Sequence, residues 1–380
     1  MRLQKLEPRT RLLLVGPLPI EDDVIGGTKV LFAEMVDAFE RSERFETRVV
    51  NTSRPLRDKR PLQRALHNAR AFVRVLGKLW RETARNDAVV LNISSRGLIA
   101  SGPWIWALCK LRRTPLVVRL FGGDFGMRFD DAPRRRRALM RRTVLRCEHL
   151  LVETEGLRER FATAKRVDRF PNTRDLPETP RLERGAGQGL RFLFLGQIWH
   201  EKGFLHALEA SDQLETNARI EFYGPLMPGV SEAIFDAHEH AHYHGPVEPE
   251  AVPGLLARHD ALIFPTLYRT EGMPGVVIEA MQAGLPVIAS RWPAAHELIE
   301  DGVNGLLVEV GSTESLAQAM RVLEHSSRLR THISVKARDT GDHYRHSAWH
   351  GRLERWIDEL VGRVPAARIS VATRKPKEVA

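Results

Sequence analysis

The apolar positions of the chain fall into short compact runs separated by longer amphipathic stretches. Residues 12–15, 47–51, 88–93, 116–121 and 150–153 form such runs, each bounded by Gly, Pro, Asp or a change to polar sequence. Runs of this length read as strands. Between them the apolar residues recur at helical spacing. Residues 28–41 are amphipathic, and Leu62, Leu66, Ala69, Phe72, Val73, Leu76, Leu79 and Trp80 repeat every three or four positions. Strand, glycine-containing loop and helix in alternation predict a parallel α/β domain. The same rhythm restarts at 191–195 and continues through 220–223, 261–264 and 286–290. Residues 175–189, polar and rich in Pro and Gly, read as the linker between two domains, 1–174 and 190–342.

The densest stretch is 264–290, FPTLYRTEGMPGVVIEAMQAGLPVIAS. A buried strand ends at Phe264, a loop carries Glu271, Gly272, Pro274 and Gly275, and an apolar-periodic helix runs to Gly284. Pro in the first turn and Gly just past the last mark both helix ends. The first N–H groups of a helix have no internal partner, and the helix dipole is positive there, so this end accepts anions. Glu271 lies on the lip of the loop, and Glu279 lies about one turn into the helix. Two carboxylates beside an anion-binding helix end suit a ligand that carries phosphate and several hydroxyls, as a nucleotide sugar does.

The segment EGMPGVVIEAMQAGLPVIAS resembles the donor-site signature of retaining glycosyltransferases of the GT-B fold, in particular glycosyltransferase family 4 (group 1). The resemblance implies two Rossmann-like α/β domains facing an interdomain cleft, with helices at about 343–364 crossing back to the first domain. By position it implicates Glu271 beside the donor sugar and Glu279 at the ribose hydroxyls. Gly272, Met273, Pro274 and Gly275 would meet the sugar–diphosphate end. Residues 192–210, FLFLGQIWHEKGFLHALEA, are similar to the family segment that grips the diphosphate with an arginine and a lysine. Here Lys202 is retained as the expected phosphate cation, while Gly196 is followed by Gln197 where the arginine would stand. Arg269 and Arg291 are the candidates to replace that charge. Gly245 and Val247 fall in a turn similar to the one whose backbone holds the nucleobase. Gly26 and Gly27 fall in the loop that faces donor and acceptor. Phe121 occupies the place of a family histidine, which leaves Asp124 as a candidate sugar or acceptor contact. Phe170-Pro171-Asn172 resembles the end of the first domain, without the Gly-Val-Asp triplet that usually follows.

Composition narrows the setting. Hydrophobic residues make up 43% of the 380 and charged residues 28%, as in a soluble globular protein. Two cysteines without metal-ligand spacing point to a reducing compartment. No window approaches the roughly 18 uninterrupted apolar residues of a membrane span, and the first ten residues do not read as a signal peptide. The net charge is +10, concentrated in 54–85 and 134–146, with a polar, basic tail at 365–380. A basic surface seeks an acidic partner. No nucleic-acid module accompanies it, so an anionic membrane surface is the expected partner and nucleic acid is not. His238, His240, His242 and His244 lack the Cys or carboxylate pattern of a metal site.

The expectation is therefore a cytoplasmic glycosyltransferase, peripheral on the membrane, working in cell-surface polysaccharide biosynthesis. It would move a hexose or related sugar, with retention, from a nucleotide diphosphate to a glycan or lipid-linked acceptor. Glu271 and Lys202 would be its catalytic residues, with neither cofactor nor essential metal. A sugar-nucleotide epimerase of the same architecture and a non-catalytic basic membrane scaffold are the rivals.

Overall fold

The computed structural model describes residues 9–20, 27–53, 61–179, 189–214 and 216–362. Gly26, the tail at 365–380, residues 54–60 of the basic region and 180–188 of the linker lie outside the described residues.

The first domain contributes β1 (Thr10–Gly16), β2 (Phe45–Asn51), β3 (Ala88–Ser94), β4 (Leu116–Phe121), β5 (His149–Val152) and β6 (Val167–Arg169). They form one sheet in the order β2-β1-β3-β4-β5-β6, every pair parallel. Between them run α1 (Gly27–Arg41), α2 (Pro61–Thr83), α3 (Ser95–Arg112), α4 (Phe125–Asp131), α5 (Arg134–Arg142) and α6 (Glu155–Arg160). The second domain repeats the plan with β7 (Arg191–Leu195), β8 (Arg219–Tyr223), β9 (Ala241–Tyr243), β10 (Ala261–Phe264), β11 (Val287–Ser290) and β12 (Leu306–Val308). Their order is β12-β11-β10-β7-β8-β9, again all parallel. The helices α7 (Phe204–Ser211), α8 (Val252–Ala257), α9 (Gly275–Gln282), α10 (Thr313–His325), α11 (Ser327–Asp342) and α12 (His346–Leu360) complete the chain. This is the two-domain α/β arrangement expected from the alternating pattern.

Strand order decides where a ligand fits. In each sheet the winding reverses once, between β1 and β3 and between β7 and β10. Loops leaving the carboxyl ends of the two reversing strands diverge and open a crevice. In the second domain those loops are 196–203 and 265–274, the two glycine-bearing stretches singled out in the sequence.

The last helix belongs to the core of the first domain. Trp349, Leu353, Trp356 and Ile357 of α12 are buried against Leu12 and Leu14 of β1, Phe32, Met35 and Phe39 of α1, and Phe170. Each such side chain contributes about 2 kcal/mol by leaving water.

Several short elements were not anticipated. The edge strand β6 is three half-buried residues, and α4 and α8 are seven and six residues long. None is long enough to show a period. The basic helix expected over 133–148 ends at Arg142, because Thr143 leaves helical geometry (φ −123°, ψ −89°) and a 3-10 turn, Val144–Arg146, follows.

Leu353 is fully buried, so Leu353→Ala should destabilise the protein by about 3 kcal/mol. Urea unfolding followed by tryptophan fluorescence measures this. A loss below about 1 kcal/mol would show that α12 is not part of the first core.

Candidate active site

The carboxyl ends of the two sheets face each other across a cavity of about 950 Å³. Its floor on the second-domain side is the loop before α9. That helix begins after Pro274, with no side chain capping it and no acidic residue in its first turn. By contrast α3, α6, α10 and α11 each have a Ser or Thr hydroxyl accepting from a first-turn N–H. The donors of the first turn of α9 are therefore left for something other than its own N-cap.

Lys202 approaches from the end of β7. It sits on a 3-10 turn, His200–Lys202, closed by Gly203 at φ +74°. A Cβ on Gly203 would lie 1.9 Å from the Pro265 carbonyl oxygen, so only glycine lets this turn pack on the 265–274 loop. The Lys202 ammonium is paired with Glu271 Oε1 and lies 5.3 Å from the Phe264 ring centre. Thr266 Oγ1 also donates to Glu271 (3.3 Å).

Glu279, on the first turns of α9, accepts from Arg174 Nε at 2.7 Å. Burial raises the Glu279 pKa, and Arg174 pulls it partly back. Arg174 belongs to the strap that joins the domains. Its carbonyl accepts from Gln282 Nε2 (2.7 Å), the Leu176 N–H donates to Gln282 Oε1 (3.0 Å), and Asn172 Nδ2 donates to the Met273 carbonyl (2.6 Å). The strap is thus laced along α9.

On the first-domain side, Phe121 ends β4 and is buried. Behind it the Arg119 guanidinium, wholly buried, lies 4.8 Å from the Phe121 ring and 4.6 Å from the Phe170 ring. Burial lowers its pKa to about 9. Glu153, just past β5, is 4% exposed and joins the two domains. The Gly122 N–H donates to its Oε1 (3.0 Å) and the Met273 N–H to its Oε2 (3.4 Å). Burial pushes the Glu153 pKa up to about 6, against the pull of those two N–H groups and of Arg119.

Gly27, Asp124, Gly196, Gln197, Lys202, Val247, Glu271, Gly272, Met273, Pro274, Gly275 and Glu279 all line this one cavity. Gly245 does not line it. Its carbonyl accepts from the Gly224 N–H (2.9 Å), and Gly224 is the lining residue. Gly26 lies outside the described residues. The Met273 side chain is buried in the second core, so only its backbone faces the site. Asp124 is paired with Arg128. Neither Arg269 nor Arg291 is among the lining residues; Arg291 pairs with Asp301 and Glu309, and Arg269 is exposed between the lining residues Tyr268 and Thr270. Among the described lining residues the arginine is Arg174. Glu153 ends the strand run 150–153 and Arg174 the first domain, and neither shows its role locally because their partners Met273 and Glu279 lie 120 and 105 residues away.

Residues 189–325 match the family model described as glycosyl transferases group 1. This is a little over a third of the chain. An Escherichia coli relative, UDP-Gal:alpha-D-GlcNAc-diphosphoundecaprenol alpha-1,3-galactosyltransferase, is 24% identical over 196 residues, covering 47% of this chain and 50% of that one. The aligned part spans half or less of the curated relatives it matches. Among solved structures, Anabaena HepE in complex with UDP superposes with a TM-score of 0.71 at 16% identity, over 92% of this chain and 100% of that one. Sucrose-phosphate synthase from Thermosynechococcus elongatus gives 0.74 at 14% identity, over 94% and 100%. The chain has the GT-B fold.

Glu153 makes stability depend on pH in a defined direction. Its folded pKa of about 6 exceeds the ordinary 4.5, so the native state holds the proton more tightly than the unfolded chain. Stability from this group is full below 4.5 and is lost as pH rises through about 6, by about 2 kcal/mol in all. Glu153→Gln should remove that component. The unfolding free energy at pH 4.5 minus that at pH 7 should be lower in the variant than in the wild type by about 1.5 kcal/mol; an unchanged or higher value would refute the assignment.

Proposed function

We propose that the protein is a glycosyltransferase that takes a hexose or related sugar from a nucleotide-diphosphate donor and passes it to an acceptor hydroxyl. The observation that carries this reading is the convergence of Lys202, Glu271, Glu279 and the uncapped start of α9 on one interdomain cavity. The match of residues 189–325 to the group 1 family and the UDP complex of a structural neighbour support the same donor class.

In this reading the bond between the sugar C1 and the diphosphate oxygen breaks, and a bond from C1 to the acceptor oxygen forms. The acceptor proton leaves with the diphosphate. Negative charge grows on the departing oxygen. Lys202 and the N–H groups at the start of α9 meet it there, in a cleft where such charges act more strongly than in water. Glu271, held by Lys202 and Thr266, orients the sugar and stabilises the positive charge at C1. Glu279 holds the ribose hydroxyls. Gln197 adds a neutral hydrogen-bond donor, and the turn carrying Val247 lies against the base. Retention of configuration follows the resemblance of 271–279 to retaining enzymes, with no metal step invoked.

The acceptor side is read from the first domain. A lipid-diphosphate or glycan acceptor suits the E. coli relative's substrate name, and with it a role in cell-surface polysaccharide biosynthesis. No helix among the described residues is long and apolar enough to cross a membrane. A surface contact is favoured by the outer face of the first domain. Arg134, Arg135 and Arg136 are exposed there, and Trp104, Leu111 and Leu139 stand out among the cations at 64%, 71% and 47% exposure. Basic residues around exposed apolar ones bind anionic lipid at about 1 kcal/mol per charge.

Two experiments test this. Steady-state kinetics with a bound donor should show Glu279→Ala raising KM for the donor about 10-fold or more, and Glu271→Ala lowering kcat about 100-fold. Wild-type kinetics in both variants would sink the assignment, and donor epimerisation without any acceptor would replace transfer with the epimerase reading. Separately, replacing Arg134–Arg137 by Gln should cut binding to vesicles containing phosphatidylglycerol about 10-fold or more; unchanged co-sedimentation would remove α5 from the membrane contact.

A further inference from the structure

Only two lining residues of the cavity, Arg174 and Lys202, carry permanent positive charge among the described residues, against seven Asp and Glu. A diphosphate entering such a space needs close contact with the cations to offset the acidic lining. Lys202 is identified with the sugar end through Glu271. Arg174 stands at the other end of the same loop, and its position is unusual. A Cβ on Gly275 would lie 2.1 Å from Arg174 Nη2, so the guanidinium rests directly on the first residue of α9. That places a cation beside the positive end of a helix dipole, where two positive features favour an anion over Gly275.

The bonds of Arg174 leave one side open. Nε donates to Glu279 (2.7 Å) and Nη1 to the Thr173 carbonyl (2.9 Å), with Glu34 Oε2 at 3.8 Å from Nη1. Nη2, the nitrogen over Gly275, has no hydrogen bond among the described residues. The side chain is only one-tenth exposed, held by the strap and α9. A buried, fixed guanidinium with one free edge at a helix start is built to take a phosphate oxygen together with the helix N–H groups.

We infer that Arg174 is the second diphosphate cation of this site, filling from the interdomain strap the charge that Gln197 leaves absent from the β7 loop. The inference rests on the nucleotide-sugar reading and adds to it the residue that holds the phosphates. It also makes Glu279 a shared partner, which orients Arg174 on one side and faces the ribose on the other.

The test separates the two claims. Wild-type protein is titrated with UDP, GDP and ADP, and the preferred diphosphate is then compared with its nucleoside by competition. Binding of none of the three would refute the donor reading itself. If one binds, Arg174→Gln should weaken the diphosphate about 10- to 100-fold, the loss of a charge-assisted hydrogen bond, while nucleoside affinity stays within about 3-fold. Arg174→Lys, which keeps the charge without the fork, should fall in between and guards against a misfolded Gln variant; its unfolding midpoint is measured alongside. Unchanged diphosphate affinity in both variants would overturn the inference. So would equal losses for diphosphate and nucleoside, because Arg174 would then act only by orienting Glu279.

Discussion

Charge can be buried between two sheets only where each charge meets an opposite one, a row of N–H dipoles or an aromatic face. The domain junction of this protein satisfies that condition three times within one small region. Arg119 lies against two phenyl rings, and the charge of Glu153 offsets part of its burial. Glu153 takes an N–H from each domain. Arg174 and Glu279 close on each other. Removing any one partner would leave the other stranded in a poorly solvated space, a cost of several kcal/mol. The relative placement of the two sheets is therefore set by pairing rules as much as by apolar packing, and the cavity is what remains between paired groups.

This constraint gives α9 its importance. The helix is fixed from below by its own apolar face, with Val277, Ile278 and Met281 in the second core. On its flank the strap is tied to it through Gln282, and α11 crosses so close that a Cβ on Gly341 would strike the Gln282 backbone at 2.5 Å. A site built on such an element moves little. The loop before α9, touched by Lys202 from one sheet and Glu153 from the other, then holds its N–H groups in place before a ligand arrives, and preorganised dipoles are the effective kind.

The sequence made the second domain legible because its signals are local. Pro274, Gly275, Gly284 and the apolar period between them specify strand, loop and helix within 27 residues, and the charges at Glu271 and Glu279 fall within the same window. The alternation of strands and helices likewise exposed the two-sheet fold without any long-range information. Arg174 and Glu153 were not legible for the opposite reason. Each looks like an ordinary charge at the end of a domain or strand, and its meaning comes from residues more than a hundred positions away. The one hint lay at 173–174, where Thr and Arg stand in place of the Gly and Val that the family resemblance implies. Elements such as β6, with three half-buried polar-flanked residues, gave no periodic signal at all.

The net +10 does not come from the interdomain cavity. The cavity is acidic by count, and the excess of arginine lies on the outer helices of the first domain, where α3 packs against both α2 and α5. On α2 and α3 this face also stacks Arg112 over Trp80 at 3.6 Å, keeping a cation and an exposed indole together. A positive exterior raises the local concentration of anionic molecules and speeds their approach, but salt screens it over about 10 Å. Retention in the cleft must come from short contacts. If the cleft takes a diphosphate, as proposed, a second cation beside Lys202 helps to offset the acidic lining. At the fixed end, over Gly275, a planar guanidinium clamped by Glu279 and the Thr173 carbonyl loses little freedom on taking a phosphate oxygen, and that makes arginine the fitting residue at 174.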